Sequence, residues 1–396
     1  MKFCAACGER AGDGGAFCPL DGAPLVDAAS HRPSEASATD PRIGVVLPGD
    51  VRIERLVGLG ATGRLYRAFQ SGVDRPVAVK VRRLPLREDS RALSRFHKEA
   101  RFASRIVHPN VVTVLMTGEL PEGAAAARGE PYAILEWLDG PTLEAVLAAN
   151  CARGEAVPLA RALRIALGIA EAAGAAHHAG VLHRDLKPSN VALISRPNER
   201  ESVKVLDFGL AALDGASAYA HATRSSAGES PLPSITHEGI IGTARYLAPE
   251  AARGAPTSAS DVHAVAAITY ECLAGEAPFE GRSAAAVIVA RAGREPLDVR
   301  EHPRAAYVPA SIAALLQRAL SRDPTARPRD GSTFARDLLR AATKAGLAAE
   351  DLLAASAEAD HRPLRLASHQ RTRPHDPRAS AEASAVRITG ARARRT

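Results

Sequence analysis

His183-Arg184-Asp185-Leu186-Lys187-Pro188-Ser189-Asn190, followed at a distance by Asp207-Phe208-Gly209, decides how this chain is read. The stretch packs a carboxylate, an ammonium group and an amide into six consecutive positions, Asp185 to Asn190, and supplies a second carboxylate at Asp207. Transfer of a phosphoryl group needs little covalent help. It needs a carboxylate beside the attacking hydroxyl, oxygen ligands for Mg²⁺ and cations against the phosphates. Asp185 can accept the hydroxyl proton, and Lys187 can face the transferring group. Asn190 and Asp207 offer the oxygen donors that a hard cation prefers.

Upstream stands Gly58-Leu59-Gly60-Ala61-Thr62-Gly63-Arg64-Leu65-Tyr66. A lone GxGxxG is weak evidence, because dinucleotide-binding folds use it as well. Such a fold would open a helix at this point and place an acidic residue about 20 residues on. Here Arg64–Phe69 reads as a strand, and Pro76-Val77-Ala78-Val79-Lys80 follows as another. The glycines Gly58, Gly60 and Gly63 then sit in a hairpin, where a backbone without Cβ can approach phosphates.

Taken together these motifs resemble the eukaryotic-like protein Ser/Thr kinases of bacteria, over roughly residues 46–340. The resemblance implies an α+β, two-lobed protein kinase fold. Its mostly β N-lobe would span about 46–136 and its mostly α C-lobe about 139–340. It also implies ATP and Mg²⁺ as cofactors and protein Ser/Thr hydroxyls as acceptors. Lys80 would hold the α- and β-phosphates, and its partner on the next helix would be Glu99 of Phe96-His97-Lys98-Glu99-Ala100. Glu88 is nearer in sequence but follows Pro85 in a loop-like stretch. Leu65, where the family usually has Val, would cover the adenine together with Leu59 and Ala78. Leu135 would stand at the back of the pocket. Glu136 and Leu138, flanking Trp137, would present hinge backbone to the base. Ala192, where a larger residue is usual, would form the floor.

The resemblance also assigns the activation segment, from Asp207-Phe208-Gly209 to Ala248-Pro249-Glu250. Residues 214–235 are rich in Ser, Ala, Gly and Pro, a composition that cannot build a core. Arg184 before the catalytic Asp implies control by a phosphate, and Thr236 is the first candidate for autophosphorylation. Ser234, Ser230, Ser225, Ser226 and Thr223 are further candidates. Thr243 would bond Asp185 and Lys187 in the substrate groove. Glu250 would pair with Arg327, and Asp261 would hold the catalytic-loop backbone. His263 stands where the family often has an aromatic residue and reads as a packed helix residue. Cys151 and Cys272 read as ordinary buried residues.

The chain has 396 residues and a formal charge of +7. Residues 361–396 hold nine arginines against two acids, so the remainder is close to neutral. This tail, after a short helix in 341–396, reads as a disordered basic arm. No aromatic residue interleaves with its arginines, so base stacking has no support and a solvated tail is the simpler reading than a nucleic-acid contact. Cys4-Ala5-Ala6-Cys7 and Phe17-Cys18-Pro19-Leu20-Asp21-Gly22 have the spacing of a zinc ribbon, with Cys4, Cys7, Cys18 and Asp21 as candidate ligands for a structural Zn²⁺. A degenerate ribbon or a labile disulfide are the alternatives. Residues 1–26 thus read as a small zinc-ribbon-like module and 27–45 as a flexible linker. No run of uncharged apolar residues is long enough to span a bilayer, and a cytoplasmic protein is expected. The rival to an active kinase is a pseudokinase scaffold, but each reactive position is filled.

Overall fold

The computed structural model describes residues 2–4, 10–11, 25–27, 40–60, 63–82, 104–121, 129–195, 201–208, 244–279, 281, 284–347 and 352. Glu99, Thr236, Thr243, Cys7, Cys18, Asp21 and the tail 361–396 lie outside the described residues.

At the amino terminus, β1 (Lys2–Cys4), β2 (Arg10–Ala11) and β3 (Leu25–Asp27) form an antiparallel sheet in the order β2-β1-β3. The N-lobe is a six-stranded antiparallel sheet. It comprises β4 (Val46–Leu47), β5 (Val51–Gly60), β6 (Gly63–Gln70), β7 (Arg75–Arg82), β8 (Val114–Glu119) and β9 (Pro131–Glu136), ordered β4-β5-β6-β7-β9-β8. Val51, Ile53, Tyr66, Ala68, Val77, Val79 and Ile134 pack one face as a closed apolar core. β5 and β6 are the expected glycine hairpin, closing at the pair Gly60–Gly63. A Cβ on Gly63 would lie 2.2 Å from the Val81 carbonyl oxygen, so the tight return onto β7 admits only glycine.

The C-lobe is built from helices α1 (Leu143–Ala152), α2 (Leu159–His178), α3 (Pro249–Ala252), α4 (Ser258–Ala274), α5 (Ala284–Gly293), α6 (Ala310–Ala319) and α7 (Gly331–Lys344). A short hairpin, β10 (Val191–Ile194) with β11 (Ser202–Val205), completes the described lobe. Alanine-rich helices pack closely, and α2 and α4 are buried along most of their length. Where α7 starts against α2, a Cβ on Gly331 would fall 2.4 Å from the Ala170 carbonyl oxygen. Thr142 caps α1 through Ala145 N–H, and Asp330 caps α7 through Thr333 N–H, each filling an orphan donor of the first turn. Among the described residues no helix is long and apolar enough to cross a membrane.

Two expectations need correction. A flexible linker through residue 45 does not describe Asp40–Val45. Gly44 N–H donates to the Ile53 carbonyl and Ile53 N–H to the Val45 carbonyl, so these residues are already laced to β5. Cys272 is buried as expected, but Cys151 is exposed, because it falls on the last turn of α1 where the chain leaves the body for a surface turn.

Candidate active site

The catalytic segment follows α2 and is held from beneath by one carboxylate. Asp261, on α4, is 3% exposed. Its Oδ2 accepts from His183 N–H at 2.8 Å and lies 2.9 Å from His177 Nε2, and its Oδ1 accepts from Arg184 N–H at 2.9 Å. Arg184 has φ 69°, a left-handed backbone that a side-chain-bearing residue adopts only at a cost. The bond from its N–H offsets that cost and fixes the turn that presents Asp185. His177 was not anticipated as a site residue. Its Nδ1 accepts from Gly331 N–H at 3.2 Å, which assigns the other nitrogen, Nε2, as the donor to Asp261. Burial works against the charge of Asp261, but the His177 hydrogen bond, the electrostatic attraction of the His177 and His183 rings and the Arg184 N–H bond outweigh it and hold the carboxyl below its usual range.

Above this support the reactive side chains converge. Lys187 Nζ lies 2.9 Å from Asp185 Oδ2. Asn190 Nδ2 donates to the Asp185 carbonyl at 2.8 Å and to its Oδ2 at 3.2 Å, which leaves the amide oxygen as the free acceptor. Leu206 N–H donates to the Asn190 carbonyl, so the strand leading to Asp207 is stitched to the catalytic segment. Asp207 also has a left-handed backbone, φ 61°. Its Oδ2 accepts from Lys80 Nζ at 2.5 Å. Burial raises the Asp207 carboxyl, but the charge and hydrogen bond of Lys80 overcome it and keep the group below its usual range. Asp207 is therefore ionised at neutral pH, as a metal ligand must be. Phe208, next in the chain, meets the His183 ring edge-on with centroids 4.6 Å apart.

An apolar cluster on β7 and β9, the strand of Lys80 and its neighbour, adjoins these groups. Ala78 and Leu135 are buried together with Val112 and Ala133, and half-buried Leu65, Leu138, Trp137 and Leu206 pack against them. Ala192 is buried on β10. Leu59, at the tip of the hairpin, is 66% exposed. A Cβ on Gly58 would meet nothing within 4 Å, so packing within the protein does not demand glycine there. The Glu136 side chain turns away from base recognition: it accepts from Thr113 N–H at 2.8 Å and Lys204 Nζ at 2.7 Å. Trp137 donates to Asp139 at 2.7 Å, with the Arg67 guanidinium 5.8 Å from its ring centre.

Structural ion pairs sit where expected. Arg327 forks onto Glu250 at 2.7 and 3.0 Å. His263 is fully buried and takes no part in the site.

The family model of the protein kinase domain matches residues 51–340. This chain belongs to the protein kinase family. The kinase is 35% identical over 303 residues to serine/threonine-protein kinase pkn3 of Myxococcus xanthus, covering 76% of this chain and 51% of that protein. It is 32% identical over 299 residues to the probable serine/threonine-protein kinase PknB of Corynebacterium glutamicum, covering 74% of this chain and 42% of that protein. The chain thus spans about half the length of the curated relatives it matches. The crystal structure of the Mycobacterium tuberculosis PknI kinase domain is similar at TM-score 0.54 and 25% identity, covering 76% of the kinase and 98% of that chain. The curled sheet over a helical lobe is shared with that structure. Of the residues singled out from sequence, Lys187 and Asn190 meet Asp185, Lys80 meets Asp207, and the Leu206–Asn190 backbone bond ties the two groups together.

Proposed function

We propose that this kinase transfers the γ-phosphoryl group of Mg-ATP to Ser or Thr hydroxyls of proteins, its own activation segment included. The observation that carries the reading is the joined cluster: Lys187 and Asn190 both on Asp185, and Lys80 on Asp207. Asp185 orients the acceptor hydroxyl and takes its proton. Lys187 balances negative charge at the transferring group. Lys80 holds phosphate oxygens, with Glu99 as its partner. Asn190, through its free amide oxygen, and ionised Asp207 are the residues that fit Mg²⁺, which when bound neutralises phosphate charge. Leu65, Ala78, Leu135 and Ala192 enclose the adenine. Thr243 bridges the acceptor groove, Lys187 with this threonine favours Ser/Thr over Tyr, and Thr236 is the leading autophosphorylation site. ATP chemistry of this kind belongs in the cytoplasm.

The test is phosphate incorporation followed by intact-mass spectrometry in Mg-ATP. Wild type gains mass in phosphate steps, whereas Asp185→Asn gains none yet still binds nucleotide. Incorporation that survives this substitution refutes the assignment.

The amino-terminal cluster Cys4, Cys7, Cys18 and Asp21 is proposed to bind one structural Zn²⁺. Support comes from the small sheet: Cys4 ends β1 and pairs with Leu25, four residues beyond Asp21. Zinc released on thiol modification of the purified chain, one ion per molecule, is the expected result. A metal-free chain would sink this part of the reading.

A further inference from the structure

We propose that Asp40 and Arg42 form a buried latch that positions the roof of the nucleotide cleft, so the segment before the kinase core acts on ATP binding. Both side chains are only 6% exposed, unusual for an acid and a base in a stretch of linker-like composition. Asp40 Oδ1 accepts from Arg42 N–H at 3.1 Å and from Arg42 Nη1 at 3.0 Å. Asp40 Oδ2 accepts from Tyr66 O–H at 2.7 Å. Arg42 then forks onto Glu130 through Nε and Nη2, both at 2.8 Å. Every strong donor and acceptor in the cluster is matched, the condition under which buried charge fixes one arrangement.

The placement of the two ends matters. Tyr66 lies on β6 directly after Leu65, which packs against the Ala78–Leu135 cluster proposed above to enclose the adenine. Successive strand residues point to opposite faces, so Leu65 faces the pocket while Tyr66, fully buried, faces the lobe core. Glu130 immediately precedes β9, the strand that ends at the hinge. Between β6 and β9 in the sheet lies β7, which carries Lys80. The latch therefore spans three neighbouring strands that carry the pocket roof, the phosphate-binding lysine and the approach to the hinge. Asp40 and Arg42 touch no substrate; they are positioning residues acting through Tyr66 and Glu130.

The proposal rests on the nucleotide-binding reading above, and the experiment separates the two. Binding of Mg-AMP-PNP, a non-hydrolysable ATP analogue, is measured by calorimetry on the full chain. Variants are Tyr66→Phe, Asp40→Ala and their combination, with Lys80→Met as the control for the site itself. Tyr66→Phe is expected to weaken binding by about fivefold and Asp40→Ala by at least as much, since it also releases Arg42; the double should weaken it no further than Asp40→Ala alone, because Tyr66 then has no carboxylate left to donate to. In turnover assays the loss should fall on KM for ATP rather than on kcat. Affinities equal to wild type, or effects that multiply in the double variant, overturn the latch. Hydrogen exchange without nucleotide gives a second readout: faster exchange of β6 and β9 amides in Tyr66→Phe supports the latch, and unchanged exchange in both strands overturns it. Failure of wild type to bind the analogue overturns the nucleotide site instead, and leaves the exchange experiment to judge the latch.

Discussion

Asp261 and Asp207 are both aspartates near the catalytic segment, both held below the usual carboxylate range, and yet they are built for different work. The Asp261 side chain is 4% exposed and takes donors from His177, His183 and Arg184, so its lone pairs are largely spent inside the protein. The Asp207 side chain is 24% exposed and has one strong protein partner, Lys80. A carboxylate saturated with internal donors organises backbone. One left partly exposed and partly unsaturated keeps capacity for a metal or a phosphate-bound cation. The same contrast separates Glu250, forked onto Arg327 and bonded to Ser260, from Asp185, whose carboxylate meets the Lys187 ammonium and the Asn190 amide at a side chain still 20% exposed.

The sharpest way to break this division is to remove the carboxylate charge at each site in turn. Asp207→Asn should lower phosphate incorporation by about a thousandfold or more, since it removes charge where transition-state charge is balanced. Its melting temperature should stay close to wild type. Asp261→Ala should do the reverse in kind: it strands three buried donors and should destabilise the fold by about 3 kcal/mol, read as a fall in thermal midpoint. If Asp207→Asn unfolds the chain while Asp261→Ala leaves its stability intact, the division of roles is wrong.

A pH titration sharpens the same comparison. Asp261 and Glu250 have folded pKa values below the unfolded values of 3.8 and 4.5. As pH falls, the unfolded chain takes up these protons first. The stability they supply is therefore complete above about pH 5 and is lost as pH drops through and below the unfolded values. Thermal midpoints measured from pH 6 to pH 3 should fall steeply at the acid end, and Asp261→Asn should flatten that limb. An unchanged acid limb in the variant would assign the loss to other groups.

Much of this was legible in the sequence because phosphoryl transfer dictates residue type and spacing together. Asp185, Lys187, Asn190 and Asp207 cannot be exchanged freely for other side chains, so they stand out in a linear reading. The hairpin was legible because Gly63 sits where the Val81 carbonyl excludes a side chain. The contacts that hold the site were harder to see. His177 lies on the last turn of α2 and meets Asp261 across 84 positions, with nothing local to mark it. Arg42 meets Glu130 across 88 positions, and its surroundings of Ser, Ala and Pro look like a spacer. Long-range pairs of ordinary charged residues leave no periodicity and no motif, so only the fold shows them. Leu135 and Ala192, singled out from sequence, are both buried, while the side-chain role of Glu136 was not legible, because its partners Thr113 and Lys204 come from separate segments.

The smallest expected effect concerns a buried group with no network at all. His263 is fully buried on α4, two residues from Asp261, and among the described residues neither ring nitrogen has a well-formed hydrogen bond, the Tyr246 backbone offering only a weak attraction. Burial, and then the charges of Arg291 and Arg327, push the imidazole well below its ordinary 6.5, so it is neutral in the folded chain. An unpaired buried polar group costs stability that an apolar side chain of similar size does not, so His263→Leu should raise stability by about 1 kcal/mol at neutral pH. The sign of its pH dependence follows from the depressed folded value. The unfolded chain binds this proton as pH falls through 6.5, so wild type loses stability below that point and keeps it above. This window lies clear of the carboxylate window near pH 4. Thermal midpoints of wild type and His263→Leu should therefore diverge further at pH 5.5 than at pH 7.5. A constant gap between them would mean that the imidazole finds a partner, and that α4 at this position is closer in kind to Asp261 than its geometry implies.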